Sequence, residues 1–184
     1  MRIPTPEECR TAPSESFKYA HLVEPYLEGC GIDVGSQGWP VVPWAISYDL
    51  PKDQFVDYCG GAASKGVIHL RGLAERLPFL DQTLDFVYSS HLIEDYEYHD
   101  WPRLVSGWAR CLKHGGYVVV ICPERERWHN YVAGGGIPNH HHRHEGMLGD
   151  FASVALKLRL KLIVESLTNV YPEDYSMFAV MQKP

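Results

Sequence analysis

Short apolar runs, separated by glycine, proline and polar clusters, recur along the chain and predict β-strands. These runs lie at 31–34, 44–48, 67–70, 85–89, 117–121, 162–167 and 176–181. The run at 117–121 is continuous and β-branched, which is typical of a strand that is buried on both faces. Asp49 directly follows the second run, so a carboxylate stands at the predicted end of that strand.

Helical spacing of apolar residues marks the segments between several of these runs. The clearest helix begins after Asp100 as its N-cap, carries Pro102 in its first turn, and is expected to end at Gly115-Gly116. Its apolar stripe comprises Leu104, Val105, Trp108 and Leu112.

Further helices are expected with less regular patterns. One starts at Ser14 or Ser16 and ends near Pro25, a second covers 151–160, and a short one within 51–65 is broken by Gly60-Gly61. Residues 122–149 are expected to be irregular, and loops of this length in a compact domain are usually functional or disordered.

Strands that alternate with helices predict an α/β fold with a doubly wound, mostly parallel, seven-stranded sheet. The runs 162–167 and 176–181 are joined too closely for a crossover helix, so they predict an antiparallel closing strand. We expect one domain over 1–184, with a loose N-terminal arm at 1–13 and a lid or acceptor loop at 123–150.

Composition excludes several classes of protein. The chain has 184 residues and a net charge of −6 with scattered cations, which argues against nucleic-acid or anionic-membrane binding. No apolar run is long enough to span a bilayer. The five cysteines form no C-x-x-C pair, which favours reduced thiols and a cytoplasmic location.

The stretch from Gly31 to Gly38 combines a predicted strand with a glycine-containing turn, where open α/β sheets hold nucleotide-like ligands. Asp49 follows Asp33 by 16 positions and can accept hydrogen bonds from a ribose diol. A dinucleotide fingerprint needs a third glycine and a helix after the turn, whereas Pro40 follows here. A nucleoside without pyrophosphate is therefore favoured over a nicotinamide dinucleotide.

Five motifs in sequence order strengthen this interpretation. They lie at 31–38, 45–49, 72–79, 81–94 and 109–120. Together they resemble the class I S-adenosylmethionine-dependent methyltransferases, with similarity over roughly residues 29–123. The resemblance implies a Rossmann-like fold, methyltransferase activity and S-adenosylmethionine as the cofactor.

The resemblance also implies a set of cofactor-binding residues. The glycine turn would contact the methionine moiety, Asp49 the ribose, the segment after the third strand the adenine, and the end of the fourth strand the reactive methyl group. The implied residues are Asp33, Gly35, Ser36, Gln37, Gly38, Asp49, Leu50, Leu73, Ala74, Ser90 and His91.

Two residues depart from the family pattern. Leu73 stands where the family usually carries an aspartate that contacts the adenine amino group, and this loss should weaken cofactor binding by ~1–2 kcal/mol. Gln37 replaces the middle glycine of the turn. His91 is the candidate general base, since imidazole titrates near neutrality, with a purely structural hydrogen bond as the alternative.

The histidine run at 140–144 is the second candidate for chemistry. Alternate residues of an extended chain share a face, so a metal site is conceivable, although no second ligand pair with zinc-site spacing is visible. We expect no metal and assign this region to the acceptor side. The acceptor-pocket candidates are Tyr96, Trp128, His140, His142 and His144.

The sequence thus predicts a methyltransferase that acts on an oxygen or nitrogen atom of a small-molecule or sugar acceptor. A non-catalytic binding module of the same fold is the first alternative, and a metal-binding protein that uses His140–His144 is the second. A nicotinamide oxidoreductase is disfavoured. The acceptor itself and the oligomeric state do not follow from the sequence.

Overall fold

A computed structural model describes residues 15–58, 66–170 and 174–184. The strands are β1 Gly31–Val34, β2 Ile46–Asp49, β3 Leu70–Arg71, β4 Leu84–Ser90, β5 Leu112–Pro123, β6 Lys161–Leu167 and β7 Ser176–Gln182. Within these ranges they form one seven-stranded sheet in the order β3-β2-β1-β4-β5-β7-β6. β7 is antiparallel to β5 and β6, and the other pairs are parallel. The predicted fold class and closing strand are confirmed.

The helices connect these strands on both sides of the sheet. They are α1 Glu15–Lys18, α2 Ala20–Val23, α3 Lys52–Tyr58, α4 Trp101–Cys111, α5 Arg125–Ala133 and α6 Asp150–Leu158. Short 3-10 turns occupy Glu24–Tyr26, Ile93–Asp95 and Tyr98–Asp100. The expectations for the 1–13 arm, Ser14 and Gly60-Gly61 lie outside the described residues. No helix in the described part of the chain is both long and apolar enough to cross a bilayer.

Each face of the sheet buries its own apolar cluster, because alternate strand residues point to opposite faces. Val87 packs with α4 and α6, including the fully buried Trp101 and Trp108. Its neighbours Phe86 and Tyr88 pack instead against residues of 19–27 and 41–45. The sheet is therefore covered on both faces, as the doubly wound prediction requires.

The predicted end of α4 is wrong. The helix stops at Cys111, and Gly115-Gly116 lie inside β5. The amide of Gly115, at φ +81°, donates to the carbonyl of Lys183, and the register between β4 and β5 shifts nearby. The glycine pair therefore lies in the irregular first part of β5, which pairs with the end of the chain. At the other end of the helix, Asp100 is the N-cap residue but makes no side-chain capping bond.

Two other element boundaries differ from prediction. The third strand is Leu70–Arg71 rather than 67–70. It lies at the edge of the sheet, where only two residue pairs join it to β2 and Val67 is largely exposed. The N-terminal helix is divided into α1 and α2, and a 3-10 turn that contains Pro25 follows.

The segment 122–149 is not wholly irregular, which corrects the prediction. Cys122 and Pro123 complete β5, and α5 follows directly. The Glu124 side chain caps α5 by accepting hydrogen bonds from the amides of Glu126 and Arg127. Such capping satisfies amides that the first helical turn leaves unpaired.

Candidate functional site

The glycine turn after β1 is fixed by its backbone geometry. Gly35 has φ +84°, and its amide donates to the carbonyl of Tyr48 at 2.9 Å, which holds the turn against β2. A Cβ on Gly35 would lie 2.7 Å from the Cδ1 atom of Leu92. Gln37 also has a positive φ, of 51°. The turn therefore presents backbone rather than side chains at the end of β1.

Asp49 is the last residue of β2, and its carboxylate faces the glycine turn. One oxygen accepts from the amide of Gln37 at 2.7 Å, and the other accepts from the amide of Leu50 at 2.8 Å. The residue is only 7% exposed. Burial raises the pKa of Asp49, while the two amides and Arg71 oppose the rise. Each oxygen keeps a lone pair for a further donor.

A pocket of about 280 Å³ lies over the carboxyl ends of β1, β2 and β4. Its wall is formed by Val34, Gly35, Gln37, Tyr48, Asp49, Leu50, Phe55, Gly72, Ala74, His91, Leu92, Asp95, Tyr96, His141 and Arg143. This volume is near the lower end of the range for small-molecule sites. The structure therefore brings six predicted cofactor residues and one acceptor candidate to one cavity; these are Gly35, Gln37, Asp49, Leu50, Ala74, His91 and Tyr96.

Three predicted cofactor residues support the turn instead of lining the pocket. The fully buried Asp33 accepts from the amide of Val41 at 2.6 Å, so its carboxylate ties the loop after the turn to β1. The hydroxyl of Ser36 lies 2.6 Å from that of Ser47 and accepts from the amide of Gly38 at 3.3 Å. These bonds fix the backbone that the pocket exposes.

Leu73 and Ser90 also lie outside the pocket wall. The Leu73 side chain is 40% exposed, whereas its neighbours Gly72 and Ala74 line the cavity. Ser90 is 3% exposed at the end of β4, and its hydroxyl has no hydrogen-bond partner among the described residues. The wall near Leu73 therefore offers backbone and methyl groups.

His91 follows β4 and places its ring between the pocket and a buried polar cluster. Its backbone has φ 52°, and its amide donates to the carbonyl of Ile121 at 2.9 Å. Nε2 lies 3.1 Å from the Ser176 hydroxyl, and Nδ1 lies 3.5 Å from the Glu94 carboxylate. Both ring nitrogens thus face protein groups while the ring forms part of the wall.

Glu94 is the centre of that cluster, and sequence reasoning missed it. The residue is 1% exposed, and its carboxylate also lies 3.8 Å from His142. Burial lowers the pKa of His142, while Glu94 and Glu145 oppose this effect. The His142 ring packs on Trp128 of α5 at 4.7 Å between centroids. Trp128 and His142 therefore pack behind the pocket wall, outside the residues that line it.

The remaining histidines of the run lie in different surroundings. The Nε2 atom of His144 lies 3.0 Å from a carboxylate oxygen of Asp150, which accepts, and its ring stacks on Tyr98. His140, in contrast, is exposed. His141 reaches the pocket wall. Across residues 15–58, 66–170 and 174–184, no group of three or more His, Cys, Asp or Glu residues could hold a metal ion. The alternative of a shared metal site is therefore not supported by this geometry.

Several wall residues had no signal in the sequence analysis. Tyr48 and Phe55 belong to elements that were read only for their apolar pattern, and Asp95 and Arg143 belong to turns. Whether these residues reach the pocket depends on the path of the chain after β4 and α5. The spacing of residues in the sequence does not reveal that path.

Comparisons with known proteins agree with this architecture. Residues 46–120 match a family model described as a methyltransferase domain. Comparison with curated protein sequences gives no significant match.

Solved structures show the same fold. A Thermotoga maritima S-adenosylmethionine-dependent methyltransferase, named for candidate histamine N-methyltransferase activity, is 22% identical with a TM-score of 0.67, covering 97% of this chain and 93% of its own. A candidate methyltransferase from Bacillus halodurans C-125 is 19% identical with a TM-score of 0.62, covering 90% and 98%. A methyltransferase from Archaeoglobus fulgidus is 15% identical with a TM-score of 0.63, covering 97% of each chain. The chain thus has the fold of the class I S-adenosylmethionine-dependent methyltransferases.

Proposed function

We propose that this protein transfers a methyl group from S-adenosylmethionine to an oxygen or nitrogen atom of a small-molecule or sugar acceptor. The observation that carries the proposal is the Asp49 carboxylate, which is buried, lines the pocket and is held by the amides of Gln37 and Leu50. The methyltransferase-domain match over 46–120 and the fold support the same activity.

The residues of the pocket fit an adenosyl ligand. Asp49 has lone pairs left for a ribose diol, and Gly35 lets a ligand approach bare backbone. Leu50, Phe55 and Ala74 supply apolar surface for a purine ring. When bound, the cofactor supplies an electrophilic methyl group on a sulfonium. The task of the chain is then to bind and align, because an in-line displacement depends mainly on geometry.

His91 is the proposed base for an acceptor that must lose a proton. The residue lines the pocket at the end of β4, and the Glu94 carboxylate and Ser176 hydroxyl hold its ring. Because both ring nitrogens face these groups, Nε2 would have to leave the Ser176 hydroxyl to take a proton from the acceptor. Replacement of His91 by glutamine should lower turnover more than it weakens cofactor binding.

The acceptor is proposed to enter beside the segment that contains residues 139–144. Tyr96, His141 and Arg143 form this part of the wall. Trp128, His142 and His144 pack behind it and would shape the entrance indirectly. The cavity of about 280 Å³ is near the lower end of the range for small-molecule sites, so a group presented at its edge fits beside the cofactor better than a deeply enclosed acceptor.

A reducing, cytoplasmic location is part of the proposal and rests on the thiols. Cys30, Cys111 and Cys122 are free. Burial raises the pKa of the Cys111 and Cys122 thiols, which makes them poor nucleophiles.

Isothermal titration calorimetry with S-adenosylmethionine tests the proposal. The wild-type protein should bind saturably, and NAD should bind far more weakly because the turn lacks a pyrophosphate clamp. Asp49→Asn should weaken binding by roughly tenfold or more, since the amide cannot accept two hydroxyls equally well. Asp53→Asn is the matched control, because Asp53 is an exposed acid four residues away.

The absence of saturable heat at millimolar S-adenosylmethionine would contradict the proposal. Equal loss of affinity in Asp49→Asn and Asp53→Asn would show that charge near the pocket, rather than contact with the ribose, explains the effect.

A non-catalytic binding module is the second candidate, and Leu73 is the observation that favours it. Leu73 has no polar group, and its side chain lies off the pocket wall. Such a module would bind S-adenosylhomocysteine as well as S-adenosylmethionine and would transfer no labelled methyl group to any pool of small amines, phenols and sugars. Transfer of label in that screen would exclude it.

A further inference from the structure

Imidazole and carboxylate side chains alternate in a row that begins at His91 in the pocket wall. The Oε1 atom of Glu94 lies 3.5 Å from Nδ1 of His91 and 3.8 Å from Nε2 of His142. Nδ1 of His142 lies 3.5 Å from one carboxylate oxygen of Glu145, whose other oxygen lies 3.9 Å from Nε2 of His129 in α5. The row therefore connects the pocket wall with the surface of α5.

Burial along this row decreases from the interior towards solvent. The side chains of Glu94 and His142 are 2% and 4% exposed, whereas those of Glu145 and His129 are 18% and 65% exposed. The Trp128 ring covers His142, with 4.7 Å between the ring centroids. Apart from the pocket, solvent therefore meets the row at Glu145 and His129.

The two buried members can each take up and release a proton. Oε1 of Glu94 faces both histidine rings, and Oε2 has no hydrogen-bond partner among the described residues. Burial lowers the pKa of His142, so at neutral pH its neutral ring has one nitrogen that accepts and one that donates. His142 presents Nε2 to Glu94 and Nδ1 to Glu145, so a proton can enter at one side of the ring while another leaves at the opposite side.

We propose that Glu94, His142, Glu145 and His129 form a relay that carries protons from His91 to solvent. This inference rests on the proposed function, because the proton is the one that His91 removes from the methyl acceptor. That proton binds Nε2 of His91, the Nδ1 proton passes to Glu94, and successive transfers release one proton from His129 to water. One proton leaves for each that enters, and no electron changes place. Each transfer needs the two atoms to close from 3.5–3.9 Å to about 2.7–3.2 Å, which side-chain rotation supplies.

Exchange of histidine ring protons with water tests the relay without a ligand or an acceptor, by NMR on protein that carries isotope-labelled histidine. Glu145→Gln keeps the shape of the side chain but cannot pass a proton on. It should slow the exchange of the His142 ring proton by about tenfold or more, because a positioned proton-transfer group is worth at least that much. Glu126→Gln is the matched control, since Glu126 is an exposed acid in the first turn of α5, and it should leave the exchange unchanged.

Glu94→Gln tests the link between the relay and the pocket. It should slow the exchange of the Nδ1 proton of His91, which faces Glu94. The exchange of His142 should stay as in the wild type, because its path through Glu145 remains intact. A variant that merely loosens the packing would speed exchange up, which is the opposite effect.

The outcomes separate the relay from the proposed function. Unchanged exchange of His142 in Glu145→Gln, or equal slowing in Glu145→Gln and Glu126→Gln, would overturn the relay and leave the proposed function standing. Unchanged exchange of His91 in Glu94→Gln would overturn the link to the pocket.

Failure of the wild-type protein to bind S-adenosylmethionine would overturn the proposed function, whereas slowed exchange in Glu145→Gln would still support the proton path itself. Circular dichroism melts identify a variant that fails to fold. Glu145 lies nearer the surface than Glu94, so Glu145→Gln carries the test if Glu94→Gln does not fold.

Discussion

Asp33 and Asp49 are both buried carboxylates next to the glycine turn, yet only Asp49 lines the pocket. Their spacing from the turn predicted that both lie near it. The difference arises from their positions along the strands. Asp33 pairs with Ser47 and accepts from the amide of Val41, whereas Asp49 lies two residues beyond Ser47, at the end of β2. A sequence gives the distance along the chain, and the register of the sheet decides which carboxylate a ligand can meet.

Acidification should weaken ligand binding earlier than it would with an ordinary aspartate. Burial raises the pKa of Asp49 above 3.8, and the protonated carboxyl can no longer accept from both ribose hydroxyls. The dissociation constant for S-adenosylhomocysteine should therefore rise as pH falls through this raised pKa, and calorimetry over a pH series measures it. Asp49→Asn should abolish that dependence; an unchanged pH profile in the variant would contradict the assignment.

Gly35→Ala should destabilise the protein and damage the pocket. A left-handed backbone costs a non-glycine residue about 1–2 kcal/mol, and the new Cβ would also meet Leu92 at 2.7 Å. Gly115→Ala is the matched control, because Gly115 has φ +81° with no atom within 4 Å. Urea denaturation and S-adenosylhomocysteine binding should show a larger stability loss and weaker binding for Gly35→Ala; equal effects would show that the contact with Leu92 is unimportant.

Among the elements, β1, β4 and β7 were predicted most accurately, to within one residue at each end. The buried half of β5 was also predicted, but its exposed start at 113–115 carries no apolar pattern and was assigned to the preceding helix. α5 was missed because it buries only Trp128 and lies over polar turns, so no apolar stripe reveals it. Its start is set by Glu124, whose capping role depends on the end of β5 that precedes it.

The turn at 139–149 is held in place by a few polar contacts. The carbonyl of Glu94 accepts from the amides of Arg143 and His144, and Asp150 binds both His144 and the amide of Met147. These bonds place Arg143 at the pocket wall.

Asp150→Ala should loosen this turn while the sheet stays intact. Removing a partly buried acceptor leaves the amide of Met147 and the ring of His144 without their partner, which should cost about 1–3 kcal/mol. Hydrogen exchange should then speed up over 139–149 but not in β4 or β5. His140→Ala is the control, because His140 is exposed. Uniformly faster exchange would show that Asp150 supports the whole fold rather than this turn.

The whole molecule places its site where the strand order changes direction. β2 lies on one side of β1 and β4 lies on the other, so their loops diverge and leave a crevice at the carboxyl edge. The alternation of strands and helices was enough to predict this crevice. Beyond the glycine turn, the sequence also predicted Asp49, Ala74 and His91 at the pocket wall. It did not predict Asp95 and Arg143, since their places depend on the turns after β4 and α5.

A crystal structure of the protein with S-adenosylhomocysteine tests the central claim most directly. We predict that the adenosyl group lies over the ends of β1 and β2, with both ribose hydroxyls within about 3 Å of the Asp49 carboxylate. A complex in which the ribose lies elsewhere, or in which Asp49 contacts only the amides of Gln37 and Leu50, would contradict the account.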